Sequence, residues 1–157
     1  MPTTSQEWQK DSFVLSTDKT KLQLTVIHGF LTTSYWAPSI PLSVVEKCIA
    51  NSLCFGLFER DAQIGFARIV SDFATFAYLA DVFVLPDWRG RDLSKFMMEC
   101  IKSHPDLQNL RRWSLATADA HGLYARFGFT SLKRSERAME ITDPEVYSRM
   151  REEADSG

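Results

Sequence analysis

Tyr78-Leu79-Ala80-Asp81-Val82-Phe83-Val84-Leu85-Pro86-Asp87-Trp88-Arg89-Gly90-Arg91-Asp92-Leu93-Ser94 is the stretch on which the architecture turns. Residues 76–85 are apolar at nearly every position, the pattern of a strand covered on both faces and therefore central in a sheet. Pro86 ends it. Beyond the turn, Leu93, Phe96, Met97, Cys100 and Ile101 fall on one face of a helix that Pro105 closes. A tight strand-to-helix turn aims several backbone N–H groups at one spot, where the helix dipole adds positive potential. Arg89, Arg91 and Lys95 surround that spot with charge, so a pyrophosphate would be held there. No Gly-Lys-Ser/Thr follows and no G-x-G-x-x-G is present, which excludes the usual nucleoside-triphosphate and dinucleotide fingerprints. The plain alternative is a helix start capped by Asp92, with the basic residues in solvent.

Working outward, residues 53–58 and 64–70 read as two strands of a hairpin that precedes this unit. Upstream of them, Leu22, Leu24, Val26, Ile27, Phe30 and Leu31 predict a helix over residues 19–33. The prolines at 38 and 41 break it, and Pro41 opens a second helix through about residue 51. Residues 13–15 form a short strand before the first helix. Downstream, residues 113–117 read as a strand. Ala120, Leu123, Tyr124 and Phe127 share a helical face, and Gly128 stands where a left-handed cap belongs. Strands over 130–132 and 137–141 and a short C-terminal helix after Thr142-Asp143-Pro144-Glu145 complete the chain. The expectation is a single α/β (α+β) domain: a mixed, mostly antiparallel sheet of about six or seven strands, flanked by about four helices plus the C-terminal one. Residues 12–151 would form it, with flexible tails at 1–11 and 152–157, the latter acidic.

The 157 residues suit one well-filled core, and no run approaches the length of apolar residues needed to span a bilayer. The polar N-terminus lacks a secretory core. Cys48, Cys54 and Cys100 make an odd count without paired spacing, which argues against a disulfide framework and for a reducing, cytoplasmic setting. Residues 89–137 carry 10 Lys/Arg against 5 Asp/Glu, whereas the whole chain has a net charge of −2. A basic middle third inside a slightly acidic protein fits a local anion site and excludes nucleic acid as the expected partner. A membrane partner is not expected either.

Val84-Leu85-Pro86-Asp87-Trp88-Arg89-Gly90-Arg91, followed by its amphipathic helix, resembles the acetyl-CoA motif of the GNAT (GCN5-related) N-acetyltransferase superfamily. Ala116-Thr117-Ala118-Asp119-Ala120-His121-Gly122-Leu123-Tyr124-Ala125-Arg126-Phe127-Gly128-Phe129 resembles the second marker of that family, a tyrosine ahead of Gly-Phe. The element order agrees over residues 12–141, and the chain is similar to the small bacterial-type members. The resemblance implies acetyl-CoA as co-substrate, no metal, and acetyl transfer to a primary amine of a small molecule or peptide. Its alternative is a non-catalytic CoA-binding or regulatory domain. A homodimer is common in the family and left open by this sequence. The phosphate motif of the family, Arg/Gln-x-x-Gly-x-Gly/Ala, begins here at Arg89, but Asp92 replaces its first glycine and Ser94 the second small residue. Thr117 stands where the family commonly has Asn.

By the same resemblance Arg89, Gly90, Arg91, Asp92, Leu93, Ser94 and Lys95 meet the pyrophosphate. Val82, Phe83 and Val84 pair with the pantetheine arm, and their N–H groups are placed to hold an oxyanion. Thr117 borders the cofactor. Tyr124 would protonate the departing thiolate, against the alternative of a core tyrosine on the Leu123/Phe127 face. Asp81, inside an apolar strand, is either a general base or the partner of Arg68 across the hairpin. Tyr35 and Trp36 fall in the acceptor segment, with His28 on the preceding helix lining the same site or merely packed. Cys100 and His104 have i, i+4 spacing but no further ligand, so a metal is not expected.

Overall fold

The alternating and fully apolar segments pair in chain order. In a computed structural model, which describes residues 4–156, β1 (Glu7–Lys10), β2 (Phe13–Ser16), β3 (Leu53–Glu59), β4 (Ala62–Ser71), β5 (Phe76–Val84) and β6 (Arg112–Leu115) lie side by side in one sheet. Neighbours are antiparallel except β5 and β6, which run parallel. The helices are α1 (Leu24–Leu31), α2 (Leu42–Ala50), α3 (Leu93–Ser103), α4 (His121–Ala125) and α5 (Val146–Ser156). Ile27, Leu31 and Val45 of α1 and α2 pack with Cys54, Phe66 and Phe83 on one face of the sheet. Leu93, Met97 and Ile101 of α3 pack with Leu15, Phe55 and Leu79 on the other, and α4 adds Tyr124 there. This three-layer α/β arrangement is the expected one. No helix among the described residues is long and apolar enough to cross a membrane.

Several boundaries differ from expectation, each for a local reason. Residues 1–11 are not simply a tail: Glu7–Lys10 pair with β2 through a turn in which Asp11 takes a φ of 54°. Trp8 is the lone apolar residue of that edge strand, too little for an alternating pattern; residues 1–3 lie outside the described residues. The helix expected over 19–33 starts only at Leu24. Asp18 caps a short 3-10 turn over Lys19–Lys21, and the Gln23 N–H is drawn to Gln63 Oε1 at 2.7 Å. At the other end, residues 152–156 continue α5 rather than forming a loose tail. The carboxylate of Asp143 pairs with the Arg149 guanidinium beneath it.

Two corrections bear on function. β5 is next to the sheet edge rather than central, and its first half alternates, with Phe76 and Tyr78 about 40% exposed. α1 and α2 cover β3, β4 and only the far end of β5. The strands expected over 130–132 and 137–141 do not form. That stretch holds a 3-10 turn at Ser135–Arg137 and otherwise irregular backbone, and it joins no strand among the described residues.

Candidate active site

Register sets the site. Phe66 opposes Phe83 and Arg68 opposes Ala80, so Asp81 and Val82 together face Ala67: a bulge in β5. Asp81 takes a φ of 57°, a conformation asparagine and aspartate tolerate better than other side chains. This turn delivers its carboxylate to two donors. Arg68 Nε donates to Oδ2 at 2.8 Å, and Trp36 Nε1 donates to Oδ1 at 2.9 Å. The ion pair is largely buried. Of the two sequence readings of Asp81, the pairing with Arg68 is the one formed. With both oxygens engaged, the carboxylate braces the bulge against the loop after α1.

β5 and β6 pair from Phe76↔Arg112 to Leu79↔Leu115, after which β6 stops and β5 continues to Val84. The parallel strands therefore part beside the bulge. At the far end of that opening, Val84, Arg89, Gly90, Ser94, Lys95 and the first turn of α3 line a cleft of about 230 Å³. Gly90 and Asp92 both take positive φ, 80° and 58°, to turn the chain into α3. Asp92 sits at the N-cap position, lines the cleft, and makes no side-chain capping bond. Its left-handed backbone explains why a glycine fits this position, and the capping alternative is not realised. Arg89 Nε donates to the Val84 carbonyl at 3.0 Å, which fixes its guanidinium at the strand end. Arg91 departs from expectation: its guanidinium lies over the Trp88 ring, 4.8 Å from the centroid, outside the cleft lining. Arg126 and Leu123 of the second marker form the opposite wall. The sequence reading missed Arg126; its position two residues before Gly128 was the available signal.

Tyr124 is buried against Phe129, with ring centroids 5.9 Å apart. Burial pushes its phenol up to about 12, and Tyr35 and Asp119 add to the effect. No buried side-chain oxygen or nitrogen among the described residues lacks a partner, and the Tyr124 hydroxyl bonds to none, so its oxygen reaches accessible space. The core and site readings of Tyr124 thus coexist: the ring packs and the hydroxyl is free. Thr117 Oγ1 accepts the Ala120 N–H at 3.1 Å, holding the turn into α4, which leaves its own O–H to donate. Gly128 takes a φ of 93°, as its capping position requires.

On the other side of the bulge stands an aromatic row. Trp36 packs on Tyr35 at 5.1 Å and on Phe30 at 6.1 Å, and Phe30 stacks on Phe83 at 4.1 Å. Tyr35 Oη accepts the Ala118 N–H at 3.1 Å, so the loop reaches across to the segment after β6. Phe30 is a second residue the sequence reading missed, since its helical position reads equally as core. His28 is not brought to this row's polar end: its Nε2–H donates to the Ile40 carbonyl at 2.9 Å and pins the loop. Cys100 and His104 are both buried, and His104 Nδ1 accepts the Asp106 N–H at 3.0 Å.

A family model described as an acetyltransferase (GNAT) domain matches residues 50–131. The structure superposes with a TM-score of 0.86 on a GNAT-family protein of Xanthomonas campestris pv. campestris, provisionally assigned as an acetyltransferase; the two are 51% identical, over 89% of this chain and 99% of that one. A protein of Gibberella zeae, whose name assigns it acetyl transfer provisionally, is 28% identical over 148 residues, 79% of this chain and 82% of its own. An acetyltransferase fold from Clostridium acetobutylicum, solved with acetyl-CoA, gives a TM-score of 0.60 at 15% identity, over 88% of this chain and 96% of that one.

Proposed function

The chain belongs to the GNAT acetyltransferase family, and from that premise we propose that it transfers the acetyl group of acetyl-CoA directly to a primary amine. The observation that carries this reading is the opening between β5 and β6 with the basic cleft at one end, whose lining includes Leu123 and Arg126 on either side of Tyr124 in the sequence. Cleft and charge fit a pyrophosphate: a backbone turn at Gly90 and Asp92, the first turn of α3, and Arg89, Lys95 and Arg126. Acetyl-CoA supplies an activated thioester; the chain supplies position, a low-dielectric setting and a proton.

In this reading Val82, Phe83 and Val84 present backbone groups to the pantetheine arm, and an N–H near the bulge orients the thioester carbonyl. Tyr124 retains its proton throughout the physiological range because its pKa is raised, and it donates that proton to sulfur as the C–S bond breaks. The new bond joins the amine nitrogen to the acetyl carbon. Asp81 acts as a positioning residue, holding Trp36 and Arg68 around the bulge. The amine attacks as the free base, its surplus proton leaves to water, and a proton from water restores Tyr124. Tyr35, Trp36 and Phe30 offer faces to the acceptor. The three free cysteines fit a reducing cytoplasm.

Calorimetry with acetyl-CoA, followed by thiol release with a panel of primary amines and matched alcohols, tests the proposal. Binding, with thiol released by at least one amine and by no alcohol, is the expected result. Binding without release to any acceptor would reduce the chain to a CoA-binding domain. Absence of binding would remove the reading altogether.

A further inference from the structure

We infer, on the acetyl-transfer reading, that the acceptor is a free α-amino acid with an apolar side chain, its carboxylate and amine met by Arg68 and Asp81. Arg68 Nε donates to Asp81 Oδ2 at 2.8 Å and Nη1 donates to Ser52 Oγ at 3.1 Å; among the described residues Nη2 makes no hydrogen bond. A guanidinium has five N–H donors and a carboxylate about four acceptor sites, so both groups keep capacity after pairing. Their side chains remain 17% and 11% exposed, which puts that capacity within reach of a ligand. The pair lines a pocket of about 10 Å³ beside the β5 bulge, otherwise apolar apart from Cys48. Tyr147 of α5 packs against the apolar cluster that walls this pocket, and among the described residues its hydroxyl makes no hydrogen bond. Burial raises its pKa, Cys48 and Asp81 add to this and Arg68 opposes it, so the phenol stands beside the pair.

A neutral pair with separated poles selects a ligand of the same kind. A plain ammonium is drawn to Asp81 but repelled by Arg68, and a plain carboxylate meets the reverse. A zwitterion whose charges are one carbon apart answers both poles at once. The pocket has room for about one water, so only the polar groups enter its mouth. The side chain then lies outside, against the exposed faces of Tyr35 and Trp36, whose indole already bonds to Asp81. Transfer balances. The ammonium loses one proton to water, its nitrogen bonds to the acetyl carbon, and the C–S bond breaks as Tyr124 protonates sulfur. A second proton leaves nitrogen for water, and water restores Tyr124. The product amide is neutral at nitrogen, so only its anionic pole remains, and Asp81 repels it toward release.

Thiol release from acetyl-CoA with phenylalanine, phenylalaninamide and phenethylamine tests this on the full chain, with three amines on one skeleton. The expected kcat/KM is at least about tenfold higher for the free acid than for either analogue, because the analogues leave polar groups of the site unmatched. The amide holds its ammonium proton less tightly than the acid does, so basicity alone would favour the amide. Arg68→Gln should erase the preference and Tyr147→Phe should narrow it; the wild-type ranking decides the matter if Arg68→Gln fails to fold. Equal rates with all three amines overturn the proposal and leave acetyl transfer standing, as does a preference that folded Arg68→Gln leaves intact. Release with none of the three also overturns it, and takes the acetyl-transfer reading with it only if a wider amine panel releases no thiol.

Discussion

Gly90 and Asp92 both sit in left-handed backbone, but only the glycine does so without steric cost. Asp92 combines that conformation with a place in the lining of the cleft proposed to hold the pyrophosphate. Asp92→Gly therefore acts twice. It should raise stability by about 0.5 kcal/mol through relief of the backbone. It should also tighten acetyl-CoA binding by about 1 kcal/mol, less at high salt, by removing a like charge. Thermal denaturation and calorimetry at two salt concentrations read the two effects separately; unchanged affinity at low salt would mean the carboxylate turns away from the bound pyrophosphate. Tyr124 has the opposite economy, with a ring that packs and a hydroxyl that does not. Tyr124→Phe should keep the melting temperature and lower kcat roughly 100-fold, the usual loss for a general acid. A kcat within twofold of the parent would leave only the packing role. Asp81 was legible as a buried charge needing a partner, and Arg68 as that partner. That Trp36 takes the second oxygen was not legible, because a loop residue 45 positions away gives no periodic signal.

At the scale of elements, α4 decides more of the candidate site than its five residues suggest. It carries Tyr124 and, just past its end, Arg126, and so brings the second sequence marker to the far wall of the cleft opened by the first. Arg91, adjacent to the cleft in sequence, is instead held on Trp88. The expected ranking follows: Arg126→Ala should weaken acetyl-CoA binding about tenfold, in line with loss of a charge-assisted contact, while Arg91→Ala changes it less. Equal losses in calorimetry would show that Arg91 leaves Trp88 when the cofactor binds. The elements themselves were largely readable. The β3–β4 hairpin, α2, α3 and the Gly128 cap follow from local period and turn chemistry. β1 escaped because it is short, polar and at an edge, and residues 130–141 read as strands because alternation says only that a segment can pair.

For the whole molecule, one buried titratable group links folding to pH. His104 joins α3 to the segment before β6, its ring packed against both Trp8 and Phe55, and burial lowers its pKa despite the nearby Asp106. The unfolded chain takes up a proton near the ordinary histidine value, about 6.5, and the folded chain only below it. Stability contributed by the neutral ring is therefore complete above that value and is lost as pH falls through and below it, with a slope of at most about 1.4 kcal/mol per pH unit. Between pH 7.5 and 5.5 the wild type should lose more stability to urea than His104→Asn does. Parallel curves would show that the ring charges without cost.

The amino-acid sequence by itself determined the class of fold, the strand–turn–helix that borders the cleft, and most of the residues that line it. Each of these rests on contacts within a few residues, where period, proline and glycine act directly on the backbone. Tertiary structure alone decided that Asp81 is braced from both sides, that Arg126 rather than Arg91 faces the cleft, and that Met139 and Ile141 are left uncovered. Those outcomes depend on which distant segments become neighbours. Sheet register and the parting of β5 from β6 set that, since a bulge of one residue redirects every side chain beyond it.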